Sequence, residues 1–196
     1  MMHLMHPQPS KKELTHARIL DAAARAIRRS GFEGVGVADV MKEAGLTHGG
    51  FYAHFESREA MLAEALARAG SGGSASLAKR IDGRTRGTTT FRALLEGYLS
   101  ESHLAGTESG CPVAALASEM PRQSPELREA SVRRVQSLVE KVRATLPEPG
   151  AKERAMVIAS TMVGALQLSR VLGANAKGRS MLTAARESLL ATHDPN

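Results

Sequence analysis

The stretch GLTHGGFYAHF, residues 45–55, decides the fold of this 196-residue chain. Phe51 and Phe55 are spaced for a short helix that packs against a neighbour, yet Gly49 and Gly50 each cost a helix interior about 1 kcal/mol relative to alanine. Taken alone, the glycine pair is also compatible with a loop. Glycines remove side chains where another surface must approach the backbone. The stretch therefore predicts a short helix that presents a nearly bare backbone to a partner.

Two short helices joined by a tight turn are predicted around this stretch, at about 37–44 and about 48–54. Gly45 permits the left-handed turn between them, and Thr47 is placed to cap the second helix. This is the arrangement of a helix-turn-helix, which holds its second helix out for the major groove of DNA.

Helical periodicity continues on both sides, and no strand pattern or repeat stands out, so we predict an all-α chain. Ser10 and Glu13 have the spacing of a capping box at the start of the first helix, and Gly31 is placed to end it. Further helices are predicted from Ser57 onward, around Phe91–Leu99, at 111–120, over Leu127–Leu146, at 151–172 and at 179–192.

The sequence GSGGSAS at residues 70–76 is the best candidate for a domain boundary, because its composition is that of a linker or of a weak point in a helix. We expect a disordered arm at 1–10, a helix-turn-helix DNA-binding domain at 11–56, a connecting helix with a Gly/Ser-rich weak point at 57–82 and a second helical domain at 83–196, to which the family resemblance given below assigns effector binding and dimerisation.

Composition bounds the function only loosely. The net charge of +6 favours a polyanionic partner, but most of the basic excess lies outside residues 1–60. Cys111 is the only cysteine and cannot form an internal disulfide, so a reducing bacterial cytoplasm is the expected compartment. We find no apolar run near 18 residues and no secretory pattern at the N-terminus, and therefore expect no membrane partner.

The predicted reading surface follows from the helical register. Leu46, Phe51 and Phe55 face inward, which turns the remaining side chains of the second helix outward. His48 is the best candidate for reading a base edge, whereas Tyr52 is a candidate for phosphate contacts. The full predicted DNA-binding set is Gly36, Val37, Thr47, His48, Gly49, Gly50, Tyr52, His54 and Arg58, with His54 and Arg58 also assigned to phosphates.

Residues 14–62 closely resemble the DNA-binding domain of the tetracycline-repressor (TetR/AcrR) family of bacterial transcriptional regulators. The matching elements include Gly31-Phe32, Ala44-Gly45 and the signature Phe51-Tyr52-Ala53-His54-Phe55, followed by Arg58. The resemblance implies a homodimer that binds a palindromic operator and is usually released by an effector. It also implies that the helices at 151–172 and 179–192 pair across a two-fold axis as a four-helix bundle.

Two departures from the family pattern stand out. Val35 and Gly36 occupy positions where the family usually has threonines, so a hydroxyl contact to phosphate is missing there. The family's fourth helix is a continuous lever between the domains, whereas the glycines at 70–76 are expected to soften or break it here.

Cys111 is the second residue of the stretch GCPVAAL, directly before Pro112 at a predicted helix N-terminus, a position that favours a reactive thiolate. The stretch resembles a subset of the family related to N-ethylmaleimide-responsive repressors, which implies a sensing cysteine. The alternative is a small buried core residue. A conventional apolar effector pocket is the other option, and its candidate lining residues are Phe91, Leu95, Tyr98, His103, Met120, Leu138 and Met162.

Other classes of function are less compatible with the sequence. No metal-ligand spacing, nucleophile elbow or phosphate-binding loop stands out, so we predict no cofactor, no metal and no enzymatic activity. An architectural DNA binder without sequence preference remains an alternative. So does a transcriptional activator of the same fold.

Overall fold

The computed structural model describes the backbone of residues 8–83 and 86–194, and their side chains except those of 73–82. The predicted arm at 1–10 lies largely outside these residues. Within them the chain is all-α, as predicted. In chain order the elements are α1 (Lys11–Ser30), α2 (Val37–Glu43), a 3₁₀ helix called here the 48–53 helix (His48–Ala53), α3 (Arg58–Asp82), α4 (Thr90–Tyr98), α5 (Glu101–Ala105), α6 (Pro112–Leu116), α7 (Pro125–Arg143), α8 (Ala151–Leu172) and α9 (Ala176–His193), with 3₁₀ turns at Thr107–Ser109 and Met120–Arg122.

The ends of α1 are set by local sequence. The backbone N–H of Glu13 donates to Ser10 Oγ at 3.2 Å, and the N–H of Ser10 donates to Glu13 Oε2 at 2.6 Å. Gly31 ends the helix at φ +74°, a backbone conformation that favours glycine. The predicted capping box and helix stop are therefore confirmed.

The turn between α2 and the 48–53 helix has the predicted left-handed glycine, Gly45, at φ +69°. The second helix differs from the prediction because it is 3₁₀ rather than α. Gly49 and Gly50 lower the α-helical propensity of a segment that is only six residues long, and 3₁₀ geometry is common in such short pieces.

α3 runs without a break through residues 70–76, so the softened or broken lever expected there is not seen. Gly70 has a packing reason instead. A Cβ at this position would collide with the guanidinium of Arg134, a residue of α7 whose side chain reaches α3. The glycine thus leaves room for the Arg134 side chain against α3, while the domain limits predicted from composition stay a prediction.

Two hydrophobic clusters make up the core. The first joins α1, α2, the 48–53 helix and the start of α3, and it includes Phe32, Phe51 and Leu66. The second lies among α4, α8 and α9, around Leu95 and Met162. α6 and the beginning of α7 contribute to the first cluster, so the N-terminal helices rest directly on part of the C-terminal region.

Among the described residues, α8 alone is long and apolar enough to cross a bilayer by length and composition, a test that core helices of soluble proteins also pass. Its inner face is buried against α7 and α9. Its outer face leaves Val157, Leu168 and Val171 exposed, at 62%, 56% and 84% of their surfaces.

Candidate nucleic-acid interface and effector site

The 48–53 helix is anchored by rings. Phe51 and Phe55 are buried, with ring centroids 5.5 Å apart, and Phe55 stacks on His16 of α1 at 4.5 Å. Leu46 packs partly buried against the same cluster. These contacts fix the helix on α1 and determine which of its faces remains in solvent.

The outward face carries the predicted residues. Thr47, His48 and Gly49 are exposed, and Tyr52 keeps 74% of its surface accessible. A Cβ on Gly49 would meet nothing within 4 Å, and the glycine does not need its freedom of φ. Neither packing nor conformation therefore requires glycine at this position.

The remaining glycines and Val37 line the same region less openly. Gly50 is partly buried, and a Cβ there would lie 3.6 Å from Met41 Cε, an ordinary contact. Gly36 is exposed and caps α2 with its backbone alone, while Val37 packs partly against the core. α2 therefore begins with bare backbone at the surface.

His54 and Arg58 are less free than the sequence suggested. His54 is half-buried, and its Nδ1 has no partner within the described chain. Burial, then the charges of His16 and Lys12, lower its pKa. Arg58 donates from Nε to the Val35 carbonyl at 3.0 Å and from Nη2 to the Phe32 carbonyl at 2.5 Å, so it holds the loop before α2. Their assignment to phosphates stays a prediction.

Three of the predicted effector residues meet around one imidazole. The ring of His103 lies edge-on to that of Tyr98, with centroids 4.8 Å apart, and its Nδ1 is 2.7 Å from the Tyr98 carbonyl. Its Nε2 accepts the backbone N–H of Cys111 at 2.9 Å. Cys111 is the N-cap of α6 and is partly exposed.

Charge around the cysteine comes from elements far apart in sequence. Burial lowers the pKa of Arg28 of α1, of Lys141 of α7 and of Arg170 of α8, and the proximity of Cys111 partly opposes this lowering in each. Burial raises the pKa of Tyr98 well above its ordinary value, Cys111 adds to this and Arg170 opposes it.

The apolar candidates divide between the two clusters. Phe91, Leu95 and Met162 are buried in the second cluster, and Leu138 packs partly buried against both. Met120 belongs to the first cluster and is not grouped with the others. Whether any of them lines a pocket stays a prediction.

Two parts of the chain match known protein families. Residues 19–65 match the model described as bacterial regulatory proteins, tetR family, which covers α1 from Ile19 onward, α2, the 48–53 helix and the start of α3. Residues 87–186 match the C-terminal domain of LmrA/YxaF-like transcriptional regulators. The chain belongs to the TetR family.

Individual TetR-family proteins agree with this assignment. The transcriptional regulator LmrA of Bacillus subtilis is 28% identical over 150 residues, which cover 76% of this chain and 80% of LmrA. A TetR regulator structure from Chloroflexus aurantiacus aligns with a TM-score of 0.77 at 28% identity over 92% of this chain and 94% of that one. Reduced NemR of Escherichia coli shares the fold, with a TM-score of 0.72 at 20% identity over 89% and 94%.

Membership of the TetR family confirms the predicted all-α fold, the DNA-binding helix-turn-helix and the role in transcription regulation. The matched relatives are regulators rather than enzymes. Across residues 8–83 and 86–194 no group of three or more His, Cys, Asp or Glu side chains could hold a metal ion.

Sequence reasoning missed the contacts that join the two domains of this TetR-family chain. Arg28 donates to the carbonyls of Ala69 and Gly110, at 3.2 and 3.5 Å. Glu119 accepts the Phe32 N–H at 2.8 Å. No local pattern marks these side chains, because their partners lie 41 to 87 residues away.

Proposed function

We propose that this TetR-family protein is a homodimeric repressor that binds a palindromic operator in the bacterial cytoplasm and is released by a small-molecule or thiol-reactive effector. The proposal rests chiefly on the exposed face of the 48–53 helix. That face is held by a ring-packed core in what we call the reading head: α1, α2, the 48–53 helix and the start of α3.

His48 is proposed to read a base edge, because it is exposed at the first position of the 48–53 helix. Thr47 and Tyr52 are proposed to contact phosphates. The Thr47 side chain makes no capping bond, and most of the Tyr52 ring lies in solvent. The bare backbone at Gly36, Gly49 and Gly50, with Val37 beside it, would allow the sugar-phosphate chain to come close.

The proposed dimer interface is the outer face of α8 together with α9. Val157, Thr161, Gly164, Leu168 and Val171 recur at spacings of three and four, which places them on one stripe of α8. The stripe is exposed apart from the partly covered Gly164, whose Cβ would meet nothing within 4 Å. A second copy of the same stripe would cover this apolar surface.

Cys111 is the proposed contact for a thiol-reactive effector. It is partly exposed at the N-cap of α6, where Arg28 bonds the Gly110 carbonyl and His103 accepts from the backbone N–H of Cys111. Modification would act beside Gly110, whose carbonyl accepts from Arg28 of the reading head.

The first test is binding of the purified protein to DNA upstream of its own gene, followed by footprinting before and after a mild thiol-reactive electrophile. We expect a protected palindrome that is lost on treatment and retained in Cys111→Ser. A palindrome bound equally in both conditions would refute the thiol sensor and leave a non-covalent effector. Binding without preference for any site would refute the operator-specific regulator.

Two variants test the contacts and one tests the dimer. His48→Ala should change base preference, whereas Tyr52→Phe should weaken binding to all operators alike. Val171→Glu on the stripe should yield monomers in sedimentation, whereas Val132→Glu, an exposed valine on α7, should not. A dimeric Val171→Glu protein would argue against this interface.

A further inference from the structure

The neighbourhood of Cys111 contains hydrogen-bond donors that the described chain does not satisfy. The hydroxyl of Tyr98 is buried, with only 4% of this residue exposed, and no oxygen or nitrogen of the described residues bonds to it, although the Cys111 side chain acts on it as a weak hydrogen-bond partner. Arg170 uses Nη2 to donate to the His103 carbonyl at 2.9 Å, but its Nε and Nη1 are buried without partners. Such groups cost free energy unless something else accepts from them.

His103 cannot supply the missing acceptor. Its Nε2 accepts the Cys111 N–H, so the ring proton is on Nδ1 and is donated to the Tyr98 carbonyl. Both ring nitrogens are therefore hydrogen-bonded to backbone groups, and the neutral imidazole forms a frame that links Tyr98 to Cys111. Gly110 fits tightly into this frame, because a Cβ there would lie 2.6 Å from His103 Nε2 and 3.0 Å from Arg170 Nη2.

No carboxylate within the described residues forms an ion pair with Arg170. Burial lowers the pKa of Arg170, and Tyr98 and Cys111 raise it; none of these causes is an aspartate or a glutamate. Arg28 adds a second buried guanidinium on the other side of the Gly110 peptide, with its own Nε unpaired. The cluster thus has an excess of donors and positive charge.

The residues that carry these groups reach the surface, but the unpartnered atoms themselves are buried. Cys111, His103 and Arg170 each keep part of their surface exposed, whereas the Tyr98 hydroxyl and the Nε and Nη1 atoms of Arg170 are covered, so a ligand must displace the groups that cover them. Tyr98 and Cys111 also border the second hydrophobic cluster, which contains Leu95 and Met162. The polar groups therefore lie at the edge of an apolar region.

We propose that Tyr98 and Arg170 bind the carboxylate of a small organic acid whose apolar body lies against the second hydrophobic cluster. The carboxylate would accept from the Tyr98 hydroxyl and from Nη1 of Arg170, and the charge on the guanidinium would strengthen the second hydrogen bond. The inference rests on the proposed function, since it names the chemical class of the effector. The acid would be bound beside the Gly110 carbonyl that Arg28 of α1 contacts.

The test uses the full chain without DNA. Octanoate and benzoate are titrated by calorimetry and by thermal shift, with octanamide and benzamide as neutral matches. We expect at least one acid to bind and its amide to bind at least tenfold more weakly. Arg170→Gln should weaken acid binding at least tenfold, and Tyr98→Phe, which removes a single oxygen, should weaken it several-fold.

Arg154→Gln is the matched control. Arg154 is also on α8, also donates to backbone carbonyls and also has a buried Nε without a partner, but it lies about 24 Å away along the helix. Its replacement should leave acid binding unchanged. If Arg170→Gln does not fold, Tyr98→Phe and the ratio of acid to amide affinity in the unchanged protein decide the result.

Equal binding of acid and amide, undiminished binding in Arg170→Gln or Tyr98→Phe, or no binding of either acid at millimolar concentration would overturn the inference. Operator binding is then measured separately. Acid binding that depends on Arg170 but leaves the operator occupied would support the site and refute release by this effector. Release by an electrophile without acid binding would support the proposed function and overturn the carboxylate site.

Discussion

The reading head and the Cys111 region differ in how fully their polar side chains are hydrogen-bonded. In the reading head, the partly buried Arg58 bonds the loop before α2, and the exposed Arg18 and Arg68 bond the Ala44 carbonyl and Asp21. In the Cys111 region, two buried nitrogens of Arg170 lack partners, and only the Cys111 side chain acts on the buried Tyr98 hydroxyl.

The exceptions within the reading head support the same distinction. Arg28 Nε and His54 Nδ1 are its unpartnered buried atoms among the described residues. Arg28 is at the junction with the Cys111 region, and His54 is on the helix that would face DNA. Among the described residues, the buried polar side-chain atoms of the reading head are thus hydrogen-bonded except where the reading head meets another surface. The Cys111 region, by contrast, lacks hydrogen-bond acceptors for its own buried donors.

The largest expected effect tests whether buried aromatic rings stabilise the reading head. Phe51→Ala should lower the free energy of unfolding by about 3–5 kcal/mol, because the ring is fully buried. Tyr52→Ala, one residue away and exposed, should change it by less than about 0.5 kcal/mol and yet weaken operator binding. Urea unfolding and DNA titration measure both quantities. Equal destabilisation by the two variants would contradict the inward and outward assignment.

A smaller effect is expected at the junction of the two regions. Glu119→Ala removes the acceptor of the Phe32 N–H and should cost about 1–3 kcal/mol. Glu129→Ala breaks an exposed bridge to Arg133 of the same helix and should cost about 0.5 kcal/mol or less. Both are compared by thermal unfolding. If the two losses are alike, Glu119 does not fasten the domains together.

The sequence predicted what local chemistry decides. The capping pair at Ser10 and Glu13 and the glycine turn at Gly45 depend on residues within a few positions, and the structure has both. Gly70 was misjudged because its reason is Arg134, which is 64 positions away and visible only after α3 packs on α7.

Two adjacent arginines show the same limit at the candidate site. Arg29 forms exposed ion pairs with Glu43 and Glu108. Arg28, by contrast, is buried and donates to backbone carbonyls, one of them in Gly110 next to Cys111. In the sequence the two are indistinguishable, because helical phase alone does not reveal which neighbour will cover a side chain. The centre of the predicted reading surface lies on one short helix, whereas Tyr98 on α4 and Arg170 on α8 are far apart in the sequence.

The glycine pair that began the argument allows a finer test. Gly49→Ala should leave stability unchanged or raise it by up to about 1 kcal/mol, since a Cβ there meets nothing, and operator affinity should fall. Gly72→Ala on α3 has the same open space and should raise stability similarly without changing operator affinity. Unchanged DNA binding in Gly49→Ala would show that the bare backbone does not serve DNA contact.

The smallest effect concerns the pH dependence of His54. Because burial lowers its pKa in the folded state, both states are neutral above the ordinary histidine range, and the unfolded chain takes up the proton first as pH falls. Stability should therefore decline below about pH 6.5 and level off below the folded pKa. His54→Gln should reduce the slope, and so should His193→Gln on α9, where burial also lowers the pKa.

The pH dependence of DNA binding distinguishes two possible roles of His54: a contact to phosphate, or packing between α1 and the 48–53 helix. If the ring reaches a phosphate, protonation is favoured in the complex, so operator affinity should rise from pH 7 to pH 6 while the stability of the free protein falls. His54→Gln should abolish that rise, and His193→Gln should retain it. If affinity and stability fall together in the unchanged protein, the unpartnered Nδ1 belongs to the packing between α1 and the 48–53 helix, and His54 leaves the predicted DNA-binding set.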